Sequence, residues 1–175
     1  MKIKTLFFTL LCLLVFNNSV RAQSSLATGT QITMANDTKK AIDEIVVGDI
    51  VLSFNIKDKV YEEDKVKSIE KIMYYRLVRV TLESGVQLTM TADYPIWAEK
   101  GWISVDPDQT SANGRNIDVK RCQIGDFVLF YNITSTDYIE LSTIQGVMEP
   151  TQAYMIELEG RGTIIANGFL VGQKQ

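Results

Sequence analysis

A short polar segment in the middle of the chain contains the residue types that could act on a peptide bond. Thr91, Asp93 and Tyr94 stand immediately before Pro95, where an alternating run of apolar and polar residues ends. Because proline has no N–H to donate, it ends β-ladder pairing, so we expect a rigid bend that directs the three side chains to one place. Such a bend could hold a reacting peptide. The usual general base is missing, since the chain of 175 residues contains no histidine.

The segments on either side of this bend read as β-strands. Residues 78–89 alternate apolar and polar side chains around a turn at 83–85. The strand patterns 50–54 and 65–73 flank a hairpin tip at 55–59. The sequence therefore predicts an all-β fold.

The longest loop is predicted at 106–116. Asp106 and Asp108 lie in it, and both could offer oxygen ligands to a calcium ion. Their spacing does not match a calcium-binding loop, so we expect a solvated loop. With histidine also absent as a zinc ligand, we predict no metal and no cofactor.

Two parts of the sequence repeat each other. The stretch 47–55 (VGDIVLSFN) recurs 77 positions later at 124–132 as IGDFVLFYN, and Leu82 in VTLE has a counterpart 76 positions later in Leu158 of IELE. Two echoes at nearly the same offset favour gene duplication over chance similarity. We therefore predict a pseudo-two-fold, duplicated β fold of mostly antiparallel strands.

The first 22 residues read as a secretory signal peptide rather than as part of the fold. Lys2 and Lys4 precede an apolar run at 6–16, and a small residue, Ala22, marks the expected cleavage site. The alternative is a membrane anchor, but this run is too short to span a bilayer. We expect a domain at 23–175, exported to the periplasm or the extracellular space, with no stable membrane insertion after cleavage. On this interpretation only two residues precede Ser25, so we expect no cargo segment there.

Charge and cysteine content narrow the classes of partner. Residues 1–22 contain three of the 18 basic residues and none of the 21 acidic ones, so the remainder has 15 against 21. An acidic exported domain is a poor candidate for binding nucleic acid, whereas a protein partner is compatible with it. Neither the partner's identity nor the oligomeric state follows from the sequence. Cys122 has no second cysteine in 23–175, and we expect a small buried residue rather than a reactive thiol.

Four blocks, in order along the chain, resemble the Hint family, the fold shared by Hedgehog autoprocessing domains and inteins. They are Ser25-Leu26-Ala27-Thr28-Gly29-Thr30 at the start, Gly48-Asp49-Ile50-Val51, the central Thr91-Ala92-Asp93-Tyr94-Pro95-Ile96-Trp97, and Asn167-Gly168-Phe169-Leu170-Val171-Gly172-Gln173 at the close. The resemblance covers nearly all of 23–175.

The resemblance implies a self-processing chemistry. In the family, a Cys or Ser at the position of Ser25 attacks the carbonyl of the preceding residue and forms a thioester or ester. A His at the position of Tyr94 donates a proton to the leaving amide nitrogen, with help from a Thr and an Asp, here Thr91 and Asp93. In inteins, a terminal Asn at the position of Gln173 then cyclises.

This sequence departs from the family pattern at the reacting positions. Ser25 stands where Cys is usual, Tyr94 replaces the His, and Gly172 and Gln173 replace the closing His-Asn pair. A phenol, with a reference pKa near 10, is a poor proton shuttle at neutral pH, and loss of general acid catalysis costs about 100- to 10,000-fold in rate. Thr91 and Asp93 can also be read as a simple turn cap.

Three functional hypotheses follow. The preferred one is an exported Hint-like domain that is inactive in autoprocessing and retained as a binding or structural module. The second is a residual self-cleaving domain that makes an N-to-O acyl shift at Ser25. The third is an unrelated exported β module that binds a ligand through exposed aromatic side chains, Tyr94, Trp97 and Trp102.

Overall fold

The computed structural model describes residues 24–113, 117–160 and 162–172, and strands dominate these ranges. The predicted signal peptide and Gln173 lie outside the described residues. The strands are β1 (Leu26–Ala27), β2 (Gln31–Thr33), β3 (Lys39–Ala41), β4 (Ile50–Asn55), β5 (Val60–Tyr74), β6 (Leu77–Leu82), β7 (Gln87–Met90), β8 (Ile96–Ala98), β9 (Gly101–Ser104), β10 (Val119–Arg121), β11 (Phe127–Asn132), β12 (Ser135–Val147), β13 (Thr151–Leu158), β14 (Thr163–Ala166) and β15 (Phe169–Gly172). Of the strand pairs in the described ranges, only β9 with β10 is parallel. The predicted all-β, mostly antiparallel fold is confirmed.

Two long hairpins organise the sheet, and each exchanges a strand with the other half of the chain. The first hairpin is β4 with β5, and the second is β11 with β12. Beyond its hairpin, β5 pairs with β13 of the second half, whereas β12 pairs with β6 of the first half. Each half therefore contributes a strand to the sheet of the other half, which gives the pseudo-two-fold arrangement that the duplicated sequence predicts.

The repeated Gly-Asp sequences form matching turns before the two hairpins. Gly48 and Gly125 have φ angles of +95° and +94°, a left-handed conformation that glycine adopts at no steric cost. Asp49 accepts a backbone hydrogen bond from Val46 at 2.9 Å, and Asp126 accepts the equivalent bond from Gln123 at 2.8 Å. The repeated sequence therefore forms a repeated structure, because an Asp side chain accepts the equivalent backbone hydrogen bond in both turns.

The core is formed by the inward-facing residues of both halves. Val51 and Val128, which occupy equivalent positions in the two repeats, are both fully buried, as are Val80 and Ile164. The pattern follows from strand geometry, because alternate side chains of a strand point to opposite faces. The bend at 91–95 leads directly into β8, whose Ile96 is fully buried in this core. The core therefore fixes the direction of the bend.

The loop predicted at 106–116 is wrong in part, because an α-helix, α1, occupies Pro107–Ala112. Asp106 caps its N-terminus by accepting a hydrogen bond from the Gln109 N–H at 3.1 Å. Proline at the first helical position costs no backbone hydrogen bond, and Asp is a favoured N-cap residue. This cap explains Asp106 without calcium. Within the described ranges, no helix has the length and apolar character that crossing a bilayer requires.

Candidate functional site

Both ends of the described chain lie beside the bend at 91–95. Near the first end, Leu26 of β1 pairs with Met90, the residue before the bend. Near the last end, Gly172 of β15 donates its N–H to the carbonyl oxygen of Pro95 at 3.0 Å. The bend is therefore the place where the start and the close of this domain meet.

Ser25 is held against Thr91 by two hydrogen bonds of opposite direction. The Ser25 N–H donates to Thr91 Oγ1 at 3.1 Å, and the Thr91 N–H donates to the Ser25 carbonyl oxygen at 3.0 Å. Ser25 is fully buried and Thr91 is 6% exposed. Thr91 therefore touches the amide nitrogen that an N-to-O acyl shift at Ser25 would release.

Asp93 lies next to Ser24, on the other side of the same peptide bond. Its Oδ2 accepts hydrogen bonds from Ser24 Oγ at 2.7 Å and from Asn113 Nδ2 at 2.8 Å. The Thr110 hydroxyl donates to the Asp93 backbone carbonyl at 2.9 Å. The carboxylate is fully buried, yet Oδ1 has no hydrogen-bond partner among the described residues. A buried carboxylate oxygen without a donor carries a desolvation cost, so this atom is the least satisfied part of the site.

The two tyrosines of the site play different parts. Tyr94 is 1% exposed, and its N–H closes a turn by donating to the Thr91 carbonyl oxygen at 3.2 Å. Tyr74, at the end of β5, places its hydroxyl 3.2 Å from Ser25 Oγ. Sequence reasoning missed Tyr74, Ser24 and Asn113. Their contacts with the site join residues 20 to 69 positions apart, which no local pattern reveals.

The position of the family's closing His is sterically filled. A Cβ added to Gly172 would lie 2.6 Å from Trp102 Cη2 and 3.0 Å from Trp102 Cζ2, and Trp102 is 6% exposed. Contacts below 3.0 Å force something to move. The indole of Trp102 packs edge-on against Trp97, with ring centroids 5.2 Å apart. Glycine at 172 is therefore required by this packing.

The same packing removes the basis for the third hypothesis. An aromatic ligand-binding patch needs exposed rings, but Tyr94 and Trp102 are buried and Trp97 is partly buried. The exposed cluster of three rings that the third hypothesis requires is therefore not formed, and only Trp97 keeps part of its surface exposed.

Cys122 is buried, as the sequence predicts. The residue is 6% exposed. Burial raises the pKa of its thiol to about 12, and the negative charge of Asp126 adds to this effect. A thiol in this state is a poor nucleophile at neutral pH. Among the described residues no cluster of three or more His, Cys, Asp or Glu side chains could hold a metal ion. The candidate chemistry thus rests on Ser25, Thr91, Asp93 and Tyr94, whose catalytic roles stay a prediction.

Comparison with solved structures identifies the fold. A DnaB intein from Synechocystis superposes with a TM-score of 0.69 at 12% identity, over 87% of this chain and 100% of that chain. A bacterial intein-like domain from Clostridium thermocellum gives a TM-score of 0.66 at 20% identity, over 85% of this chain and 97% of that chain. The TvoVMA intein gives 0.65 at 14% identity, over 87% and 98%.

Sequence comparisons add nothing to this result. No protein-family model matches the chain, and no curated protein matches it significantly. Identities of 12–20% establish an architecture and leave the activity open. The coverage is nearly complete in both directions, the strand exchange is that of a duplicated β domain, and both ends of the described chain meet at the central bend. The chain therefore has the Hint-type fold shared by inteins and bacterial intein-like domains.

Proposed function

We propose that this protein is an exported Hint-type domain that no longer carries out autoprocessing and serves as a binding or structural module. The single observation that carries the proposal is the residue at the proton-donor position. Tyr94 occupies this position and is 1% exposed. The chain contains no histidine that could donate the proton in its place. Without an efficient general acid, the amide nitrogen leaves about 100 to 10,000 times more slowly.

The close of the domain supports the same proposal. In the family pattern a His precedes the terminal Asn, and here Gly172 stands at that position against Trp102. Restoring a His there would require the buried indole to move. Two of the family's reacting positions are therefore adapted to packing in this chain, which favours retention of the fold for a different use.

The surface offers support for a binding role. Val47 and Ile124, at equivalent positions of the two repeats, are 62% and 64% exposed, and their neighbours Ile50 and Phe127 are 37% and 43% exposed. Exposed apolar residues that recur in the same place on both halves favour contact with a protein partner over a random surface.

A fusion experiment tests the loss of autoprocessing. A folded tag is placed before Ser24 in a chain that continues to residue 175, and the intact mass is followed for several days at neutral pH. We expect the fusion to stay whole at the same level as a Ser25→Ala control. Release of the tag in the wild-type fusion but not in the control would overturn the proposal.

Export is tested separately. The full chain with its first 22 residues is expressed in a bacterial host with a C-terminal tag, and the cell fractions are compared by mass spectrometry. We expect a product that begins at Gln23 outside the cytoplasm. A product that keeps residues 1–22 in the cytoplasm would contradict export while leaving the first test unaffected.

A residual acyl shift at Ser25 is a second candidate, and one specific observation favours it. Thr91 still contacts the Ser25 N–H at 3.1 Å, so the amide that would break is still held. In this reaction Ser25 Oγ attacks the Ser24 carbonyl carbon, the C–N bond breaks, and the hydroxyl proton passes to the Ser25 nitrogen. The Ser25→Ala comparison decides between the two candidates.

A further inference from the structure

The strand β3 is a free edge of the sheet. In the described ranges β2 is its only strand neighbour, with Ile32 of β2 opposite Lys40 of β3. A strand with one neighbour presents unpaired N–H and C=O groups on its other side, where a further strand can pair with it. The other side of β3 is therefore a place where a partner chain can extend the sheet.

The register shows which backbone groups of β3 face this free side. Gln31 lies opposite Ala41, but its N–H donates to Asn167 Oδ1 at 2.7 Å and its carbonyl oxygen accepts from the Asn167 N–H at 2.8 Å. The pair of Gln31 with Ala41 is therefore not hydrogen-bonded. Bonded and non-bonded pairs alternate along an antiparallel ladder, so Lys40 bonds to β2 and Lys39 does not. The N–H groups of Lys39 and Ala41, and the carbonyl oxygen of Lys39, thus point to the free side.

A groove of about 680 Å³ lies beside this edge. Lys39 and Lys40 of β3 line it, together with Ile50 of β4 and Glu63 of β5. Because neighbouring side chains of a strand point to opposite faces, a groove that touches both lysines follows the edge of β3 and not one of its faces. Ile50 is 37% exposed and gives the groove an apolar contact. The volume falls within the usual range of ligand sites, about 300–1,000 Å³.

The exposed apolar turn of the first repeat lies next to the same edge. Asp49 Oδ2 accepts hydrogen bonds from Lys40 Nζ at 2.7 Å and from the Val46 N–H at 2.9 Å. The turn is therefore held against β3, and its Val46 and Val47 are 56% and 62% exposed. Apolar surface and free backbone groups thus meet at one place.

The charges of the groove determine which kind of strand fits. Lys40 is paired with Asp49, whereas no ion pair within the described ranges includes the exposed Lys39. Lysines at a free edge oppose pairing with a second copy, because like charges would lie side by side. An acidic residue opposite Lys39 would form a favourable cross-strand pair. Glu63 adds a negative charge to the lining, so acidic residues are favoured only where they face Lys39.

We propose that β3 binds an extended, acidic segment of a partner protein by strand addition. The segment makes main-chain hydrogen bonds to Lys39 and Ala41, directs an acidic side chain to Lys39 and places an apolar side chain at Ile50. This inference rests on the proposed binding role, to which it gives a surface and a class of partner, and not on the loss of autoprocessing.

A proline at position 41 tests the edge. Ala41 has a φ angle of −63°, the angle that proline fixes, and its N–H points to the free side, so Ala41→Pro should fold with an unchanged Tm. The variant lacks the donor and its ring obstructs the edge, so we expect at least about tenfold weaker binding of the added strand. Ala41→Ser keeps the N–H and should bind like the wild type.

The probe is a short synthetic peptide of alternating valine and glutamate, with a fluorophore, titrated with the purified protein and followed by fluorescence anisotropy. In extended form its glutamates share one face and its valines the other. We expect saturable binding that Lys39→Glu weakens at least about threefold. Lys120→Glu makes the same charge change on β10 and should have no effect. A peptide with lysine in place of glutamate should bind at least about threefold more weakly than the glutamate peptide.

Several results would overturn the proposal. They are the absence of saturable binding to the wild type, equal affinity for the lysine peptide, and full binding by Ala41→Pro at an unchanged Tm. If Ala41→Pro fails to fold, equal affinities of Lys39→Glu and Lys120→Glu would overturn it instead. A dimer that forms without peptide and is lost in Ala41→Pro would show that a second copy occupies the edge. None of these results alters the outcome of the fusion experiment, which tests autoprocessing separately.

Discussion

Replacement of Gly172 by alanine is expected to destabilise the domain, although the backbone at this position suits any residue. Gly172 lies in β15 without a positive φ angle, so among the described residues the nearest obstacle is the Trp102 ring, whose Cη2 would be 2.6 Å from the new Cβ. Overpacking of a well-packed core typically costs about 1–3 kcal/mol. For a chain of this size each kcal/mol lowers Tm by about 2–4 °C, so we expect a decrease of roughly 2–12 °C.

Gly146→Ala is the matched control. Gly146 also lies in a strand, β12, without a positive φ angle, and its nearest added contact would be the Met148 Cε at an ordinary 3.7 Å. Because glycine in a strand interior costs about 0.5–1 kcal/mol relative to alanine, this variant should be neutral or more stable. Thermal unfolding followed by circular dichroism measures both.

A double variant tests whether Trp102 is the cause. Trp102→Phe removes the outer indole atoms and leaves room for a Cβ at 172, so Gly172→Ala should cost less in that background than in the wild type. Equal decreases in Tm for Gly172→Ala and Gly146→Ala would refute the packing argument. So would a cost of Gly172→Ala that is unchanged by Trp102→Phe.

Three further predictions follow from the same structure. Asp49→Ala and Asp126→Ala should each lower the free energy of unfolding by about 1 kcal/mol, because each removes the acceptor of an equivalent turn, and clearly unequal losses in urea titration would contradict the duplicated design. Cys122 should not react with a disulfide reagent at pH 8 in the folded protein, since burial raises its pKa to about 12 and keeps the thiol protonated; rapid reaction without unfolding would contradict this. Adding Tyr94→His to a Ser25→Cys variant should speed thiol-induced release of an upstream tag by about 100-fold or more relative to Ser25→Cys alone, and no acceleration in a folded variant would show that the missing proton donor is not the limiting defect.

Much of the fold can be predicted from the sequence because turn residues and strand patterns that are close together in the chain determine many of the β elements. The Gly-Asp turns at Gly48 and Gly125 need left-handed glycine, and the strands after them are apolar runs that bury consecutive residues, Val51 with Leu52 and Val128 with Leu129. The 55–59 hairpin tip and the 83–85 turn were likewise readable from turn residues. Helix α1 also had a readable signal, Asp106 as N-cap followed by Pro107, but its polar composition hides it among loop residues.

The site is less predictable because its contacts are long-range. Thr91 and Asp93 stand out in the sequence, but the hydroxyl that touches Ser25 Oγ comes from Tyr74 on another strand. The steric reason for glycine at 172 lies in Trp102, 70 positions earlier. Such pairs depend on which distant strands become neighbours in the sheet, as β15 and β9 do through β8, and no single segment encodes this.

Loss of autoprocessing can be tested at its first step, by trapping an ester at Ser25. Hydroxylamine cleaves an ester but leaves an amide intact, so it reports the first acyl shift even when every later step has been lost. A tagged chain with Ser24 and Ser25 in place is incubated at neutral pH with and without hydroxylamine, and the intact mass is recorded. We expect no hydroxylamine-dependent cleavage between Ser24 and Ser25 beyond that of Ser25→Ala. Cleavage at this bond that depends on both hydroxylamine and Ser25 would contradict it.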